Sequence, residues 1–232
     1  MPNSFKLLSV IIPVYNEKTT IAEVIEKVSA VDLPFEKEII VVDDGSTDGT
    51  IEILRLSGKK ITETYLTPIN VGKGAAVRIG LTLVKGDIIL IQDADLELDP
   101  NEYRRLLAPI IEGKSSVVYG SRFLQKNPVA FIRRLANYVL TLLTNLLFFT
   151  RLTDMETAYK VFTREVADNF RLHSNGFEIE AEITAQIARS GVKILEVPIS
   201  YRPRTKYEGK KIKWQDGVKV IWTLLKNRVI KF

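Results

Sequence analysis

Residues 38–50 read Glu38-Ile39-Ile40-Val41-Val42-Asp43-Asp44-Gly45-Ser46-Thr47-Asp48-Gly49-Thr50. The run Glu38–Val42 is short, apolar and β-branched, the pattern of a strand buried on both faces. Gly45 to Thr50 reads as a turn into a helix over Asp48–Leu56, with Thr47 or Asp48 as its cap. Turn chemistry leaves one feature unexplained. The strand closes on two adjacent carboxylates, whose mutual repulsion costs energy. A ligand that hydrogen-bonds to one of them would offset that cost.

The same unit recurs on either side. Leu8–Val14 is an apolar run, followed by Thr19–Ala30 with Ile21, Val24, Ile25 and Val28 on one helical face. Strands are predicted at Ile61–Leu66, Asp87–Gln92 and Ser116–Tyr119, and helices at Gly74–Val84 and Pro100–Glu112. Pro100 suits a first helical turn. Such alternation predicts an α/β fold, a mostly parallel sheet flanked by helices. Ligands of such sheets bind beyond the carboxyl ends of the strands. Asn16-Glu17, Asp43-Asp44, Asp93-Ala94-Asp95 and Ser121-Arg122 each follow a strand, so they are expected to form the rim of an active site.

The pattern changes after residue 125. Pro128–Thr150 is helical and apolar, Met155–Thr163 reads as a strand, and Glu178–Ser190 as a helix closed by Gly191. Val192–Tyr201 is another strand, Lys206–Lys213 a basic loop, and Trp214–Ile230 a helix with Val218, Ile221, Trp222 and Leu225 on one face. Without a linker or repeat, 1–232 is read as one domain with halves 1–125 and 126–232.

Composition narrows the chemistry. The 232 residues include no cysteine and one histidine, His173. Disulfides, thiolate nucleophiles, Fe–S clusters and Cys-ligated zinc are excluded. A divalent metal must then sit on oxygen ligands, which favours Mg²⁺ or Mn²⁺. His173 is read as a loop residue without a catalytic role. Asp93 and Asp95, one residue apart past a strand, suit one hard cation, with Glu97 as a third carboxylate. Asn70-Val71-Gly72-Lys73-Gly74 lacks the Walker spacing, and no G-x-G-x-x-G follows the first strand. An NTPase and a dinucleotide oxidoreductase are both disfavoured.

The net charge is +5, and Arg204–Phe232 alone carries nine basic and two acidic residues. Such a tail suits a polyanion. Nucleic acid is disfavoured, because no RNP, KH or zinc-knuckle pattern appears and the aromatics do not interleave with the basic residues. Leu135–Thr150 is shorter than the about 20 apolar residues of a membrane span and carries polar residues. It reads as a buried or interfacial helix.

In this order, Ser9–Glu17, Val42–Thr50, Asn70–Gly74, Asp93–Glu97 and Gly120-Ser121-Arg122 resemble the inverting GT-A glycosyltransferases of family 2. Arg204 followed by Lys210 looks like the late loop of the dolichol-phosphate mannosyltransferase and polyprenol-phosphate glycosyltransferase group. The resemblance implies a GT-A fold and a metal-dependent glycosyltransferase. It would move a hexose, mannose or glucose, from GDP-mannose or UDP-glucose to a dolichyl or undecaprenyl phosphate. It also implies site roles. Pro13, Tyr15, Glu17, Val42, Asp44 and Lys73 would bind the donor, Ala94 touching it through its backbone. Asp93, Asp95 and Glu97 would hold the metal, although several relatives have Gln where Glu97 stands. Asp95, Arg122, Arg204 and Lys210 would be catalytic, and Arg122 and Arg133 would hold the acceptor, Arg134 competing with Arg133.

A phosphate acceptor is already an anion, so it needs positioning more than deprotonation. The alternative is transfer to a glycan hydroxyl, which needs a carboxylate base, with Asp154 the first candidate. A second alternative is a nucleotide-sugar-binding module without turnover. A lipid acceptor gives Val139–Phe149 a purpose. The same holds for the last helix, with Trp214, Trp222, Lys219, Lys226, Arg228 and Lys231: both suit a headgroup layer. The expected location is the cytoplasmic face of a membrane. The chain ends without a spanning helix, so anchoring is expected to be peripheral or through a partner or oligomer.

Overall fold

The computed structural model describes residues 5–204 and 214–229. The strands are β1 (Leu7–Val14), β2 (Glu36–Asp43), β3 (Glu63–Leu66), β4 (Ile88–Ile91), β5 (Val117–Ser121), β6 (Lys160–Thr163) and β7 (Ile194–Pro198). They form one seven-stranded sheet in the order β3-β2-β1-β4-β6-β5-β7. Only β6 runs against its neighbours β4 and β5; the other pairs are parallel. The helices are α1 (Ile21–Ala30), α2 (Thr50–Leu56), α3 (Lys73–Leu83), α4 (Tyr103–Ile111), α5 (Phe131–Phe148), α6 (Arg164–Asp168), α7 (Ile179–Arg189) and α8 (Trp214–Val229).

The period of two along β1 divides the core. Leu8, Val10, Ile12 and Val14 pack with Ile21, Val24 and Ile25 of α1 and Leu106 and Leu107 of α4. Ile11 faces the other way, into a layer with Ala76 and Val77 of α3 and Ile179 and Ile183 of α7. Helix α7 is buried on nearly every side, Glu180 and Glu182 included, because α5 and α8 pack over it.

Four local readings change. Helix α2 starts at Thr50 behind Gly49 and has no side-chain cap, in place of the expected Thr47 or Asp48 cap. The strand expected over Met155–Thr163 shortens to Lys160–Thr163. Before it the Thr157 hydroxyl donates to Gly120 O at 2.6 Å and accepts from Tyr159 N–H, which holds a turn. Helix α6 follows β6 directly and was not anticipated. The helix expected from Pro100 starts with a 3₁₀ turn over Pro100–Glu102, capped by Asp99 accepting from Asn101 N–H, before α4 begins.

Helix α5 is amphipathic in the inverted sense. Its buried positions include Asn137, Thr141 and Thr144, while Phe131, Ile132, Leu135, Tyr138, Val139, Leu142 and Leu146 are exposed. On α8, Trp214, Val218, Trp222 and Val229 are exposed as well. Among the described residues, no helix is long and apolar enough to cross a membrane.

Candidate active site

The carboxyl ends of β1, β2, β4 and β5 lie along one edge of the sheet, and the four polar segments marked in the sequence sit there. At the β2 end the two acids have different fates. Asp44 Oδ1 accepts from Val71 N–H at 2.9 Å and Oδ2 from Gly72 N–H at 2.6 Å. Its charge is offset by the protein's own loop. Asp43 is fully buried; its Oδ2 accepts from Ser46 N–H at 3.0 Å, and its Oδ1 has no hydrogen-bond partner among the described residues. The loop 70–74 is also held from the other side, Ala75 N–H donating to Asn175 O at 3.1 Å. Gly74 is required there, since a Cβ would stand 2.5 Å from Ser174 O. The loop's amides therefore serve the fold rather than a phosphate cradle.

Past β4, Asp93 and Asp95 keep 26% and 24% of their side chains exposed. Lys73, at the start of α3, lies 2.6 Å from Asp93 Oδ1 and 2.9 Å from Glu180 Oε1. Burial opposes the charge on Lys73, but Asp93 and Glu180 outweigh it and raise its pKa above the usual lysine value. Glu180 in turn accepts from the fully buried Lys160 at 2.6 Å. Burial alone would raise Glu180; the two lysines hold it below the usual carboxylate value.

Arg204 ties the distant loop to the strand ends. Its guanidinium donates to both carboxylate oxygens of buried Glu17, at 3.1 and 2.7 Å, and Nε donates to Asp95 O at 2.9 Å. Nε also lies 3.8 Å from Asp95 Oδ2. Ala94 contributes its carbonyl, which accepts from the Thr20 hydroxyl at 2.8 Å. Glu97 is a clamp. Its carboxylate accepts from Tyr201 Oη and from Arg204 N–H, each at 2.8 Å. Among the described residues, no three acidic or histidine side chains converge as a metal cluster. The expectation of Glu97 as a third ligand is therefore corrected: both its oxygens hold the 201–204 segment. Asp93 and Asp95 still fit a cation that takes its remaining oxygens from water and a diphosphate, as Mg²⁺ and Mn²⁺ do.

At the β5 end, Arg122 makes a bidentate pair with Asp154, Nε to Oδ2 and Nη2 to Oδ1, both at 2.7 Å. Asp154 is fully buried and also accepts from Arg122 N–H at 3.0 Å. Burial opposes the Arg122 charge, and Asp154 overcomes it, raising its pKa further. Two expectations change here. Arg122 is not a free cation, because most of its fork is engaged. Asp154 has no open side from which to take an acceptor's proton, so it is a poor base. Arg122 also lies over the rings of Tyr201 and Phe123, and Arg134 stacks on Phe123 at 5.6 Å. Arg133 is half-buried in the first turn of α5.

Of the remaining expected donor residues, Pro13 and Tyr15 are half-buried at the end of β1, and Val42 lies wholly in the core. Lys210 lies outside the described residues. His173 sits in the loop before α7, where its N–H donates to Glu182 at 3.0 Å. The sequence reading missed Lys160, Glu180 and Glu156. The signal for Glu180 was present in the spacing of Glu178, Glu180 and Glu182. On a 3.6-residue repeat the first and third share a face, so Glu180 points the opposite way.

The sheet order, the acidic strand ends and the Asp-x-Asp turn define the GT-A fold of nucleotide-sugar glycosyltransferases. Glucosyl-3-phosphoglycerate synthase from Mycobacterium tuberculosis, solved with Mn²⁺, UDP and glucosyl-3-phosphoglycerate, superposes with a TM-score of 0.75. It is 24% identical, the match covering 98% of this chain and 81% of that one. Residues 9–171 match the sequence profile of glycosyl transferase family 2, and the chain belongs to that family. It is similar to glycosyltransferase AglJ of Haloferax volcanii, 32% identical over 84% of this chain and 63% of AglJ. It therefore spans less than two thirds of that relative. It is also similar to dolichyl-phosphate beta-glucosyltransferase ALG5A of Trichomonas vaginalis, 27% identical over 94% of this chain and 72% of the relative.

Proposed function

We propose that this glycosyltransferase moves a hexose from a nucleoside-diphosphate sugar to a polyprenyl phosphate at a membrane surface, with inversion. The half 1–125 supplies most of the donor edge, completed by Glu180 and Arg204, and 126–232 most of the acceptor edge, completed by Arg122, within one catalytic unit. Asp93 and Asp95 would hold Mg²⁺ or Mn²⁺, which would supply positive charge against the leaving diphosphate. Lys73 fixes Asp93, and Arg204, pinned by Glu17 and Glu97, brings a cation beside Asp95. Lys210 belongs to the same basic loop region and is proposed as a further phosphate contact.

The observation that carries the acceptor is α5. Its first turn joins the site rim through Arg134 on Phe123, and from there it turns an apolar face outward over its length. A chain that must take a lipid phosphate needs such a face, with Arg133 and Arg134 at headgroup depth. Trp214 and Trp222 of α8, with Lys219, Lys226 and Arg228, extend the same character. The relative named as a dolichyl-phosphate glucosyltransferase supports the same acceptor class.

The test is transfer from labelled UDP-glucose and GDP-mannose into vesicles carrying polyprenyl phosphate, with Mn²⁺ or with chelator. Metal-dependent label in the organic phase is expected. Label only in a soluble glycan would move the assignment to a hydroxyl acceptor, and donor binding without either product would leave a binding module.

A further inference from the structure

Four charges run in a line from the core to the acids past β4. Lys160 is fully buried and donates to Met155 O, to Thr157 O and to Glu180 Oε2, the last at 2.6 Å. The other oxygen of Glu180, Oε1, lies 2.9 Å from Lys73 Nζ, which lies 2.6 Å from Asp93 Oδ1. One buried carboxylate thus serves two lysines, and one lysine serves two carboxylates. The need to neutralise Lys160 explains half of this. A buried acid is satisfied by one close cation and its hydrogen bonds. The second oxygen of Glu180 is turned instead to a cation on the edge of the site.

The backbone around Lys73 is fixed. Gly72 N–H is held by Asp44, and Ala75 N–H by Asn175 O. The freedom that remains is in the lysine side chain, between Asp93 and Glu180. Lys73 and a divalent cation compete for the carboxylate of Asp93, and each repels the other. Two lysines and two carboxylates balance, so removing any one charge from the line changes the field at Asp93 by a full unit.

We propose that Glu180 is a positioning residue of the metal site: it draws Lys73 away from Asp93 and so sets how tightly Asp93 and Asp95 hold Mg²⁺ or Mn²⁺. This rests on the metal role proposed above for those two acids and names the residue, in the other half of the chain, that governs it. Glu180 acts through Lys73 and touches neither metal nor substrate. Without the Glu180 charge, Lys73 belongs to Asp93 alone and opposes the metal. Without the Lys73 charge, Asp93 has no competitor. Without both, the line is balanced again.

The test reads metal occupancy and needs neither sugar nor acceptor. Mn²⁺ is titrated into wild type, Glu180→Gln, Lys73→Met and the double variant at a fixed excess of UDP, and separately of GDP. The signal of free Mn²⁺ in electron paramagnetic resonance is followed, with nucleotide alone as the blank. Glu180→Gln should weaken Mn²⁺ binding by about ten-fold, and Lys73→Met should tighten it by about three-fold or more. The double variant should return to within about three-fold of wild type. A merely structural Glu180 would not be rescued by removing a second charge. Lys160→Met, which leaves Glu180 wholly to Lys73, should tighten Mn²⁺ binding by about three-fold and carries the test if Glu180→Gln does not fold. Three results overturn the proposal: Glu180→Gln or Lys160→Met binds Mn²⁺ as wild type does, Lys73→Met weakens the metal, or the double variant is no better than Glu180→Gln. If wild type takes up no Mn²⁺ with either nucleotide, the metal reading of the proposed function fails as well; uptake that is equal in all the variants sinks this inference alone.

Discussion

The two edges of the site handle charge in opposite ways. On the proposed donor edge, Asp93 and Asp95 remain about one quarter exposed, each beside a cation anchored elsewhere: Lys73 on Glu180, Arg204 on Glu17. Those acids are restrained and still open. On the proposed acceptor edge, Asp154 is closed off by Arg122, and the surface beyond is apolar and aromatic. The difference teaches that an acidic residue at a strand end is not by itself a reactive one. Its partners decide whether it faces substrate or holds the wall.

The comparison breaks most sharply at Asp95. Asp95→Ala should lower metal-dependent donor binding by at least about 100-fold, with little change in thermal stability, because the group keeps about one quarter of its side chain open to solvent. Calorimetry with and without Mn²⁺ checks it. Next is Asp154→Ala, which leaves Arg122 confined without its partner. Breaking a buried pair costs about 3–5 kcal/mol, and the 19% exposure of Arg122 puts the expectation near the low end. A urea melt reads that loss; normal stability with abolished transfer would instead make Asp154 a chemical group.

Glu156 gives an effect no larger, with a definite sign. Its folded pKa, raised to about 7 by burial first, lies above the value near 4.5 of a free glutamate. The folded state therefore holds its proton longer than the unfolded one, and stability contributed by that proton is lost as pH rises from about 4.5 through 7. Glu156→Gln should match wild type near pH 4 and be more stable at pH 8, by on the order of 3 kcal/mol. Thermal melts at the two pH values decide it; equal shifts at both would place the carboxyl in water. The smallest effect is expected on the apolar face. Leu135→Glu with Leu142→Glu should weaken binding to anionic vesicles by about ten-fold, with donor binding and melting point unchanged. Unchanged sedimentation with vesicles would remove α5 from the lipid contact.

Much of this architecture was legible because strands buried on both faces announce themselves. The runs at 8–14, 38–42 and 87–92 needed no tertiary information, and the polar residues after them all fall on one edge of the sheet. What was not legible depended on contacts far apart in sequence. Asp44 looked like a ligand-seeking acid, and Val71 and Gly72 satisfy it from 27 and 28 residues away. Glu97 looked like a third metal ligand and holds Tyr201 and Arg204 instead. The shortened β6 and the engaged Arg122 are of the same kind: their side-chain partners lie on a distant segment of the chain, Gly120 for Thr157 and Asp154 for Arg122. Helix α5 was read as apolar, but periodicity alone does not say that its polar stripe faces inward.

The central claim is that the acceptor arrives as an anion on a lipid, so the site positions it and removes no proton. One pair of substrates tests it directly: a polyprenyl phosphate and the polyprenol of the same chain length, in identical vesicles, with one labelled donor and Mn²⁺. Label on the phosphate alone is the predicted result. Label on the free alcohol at a comparable rate would contradict it.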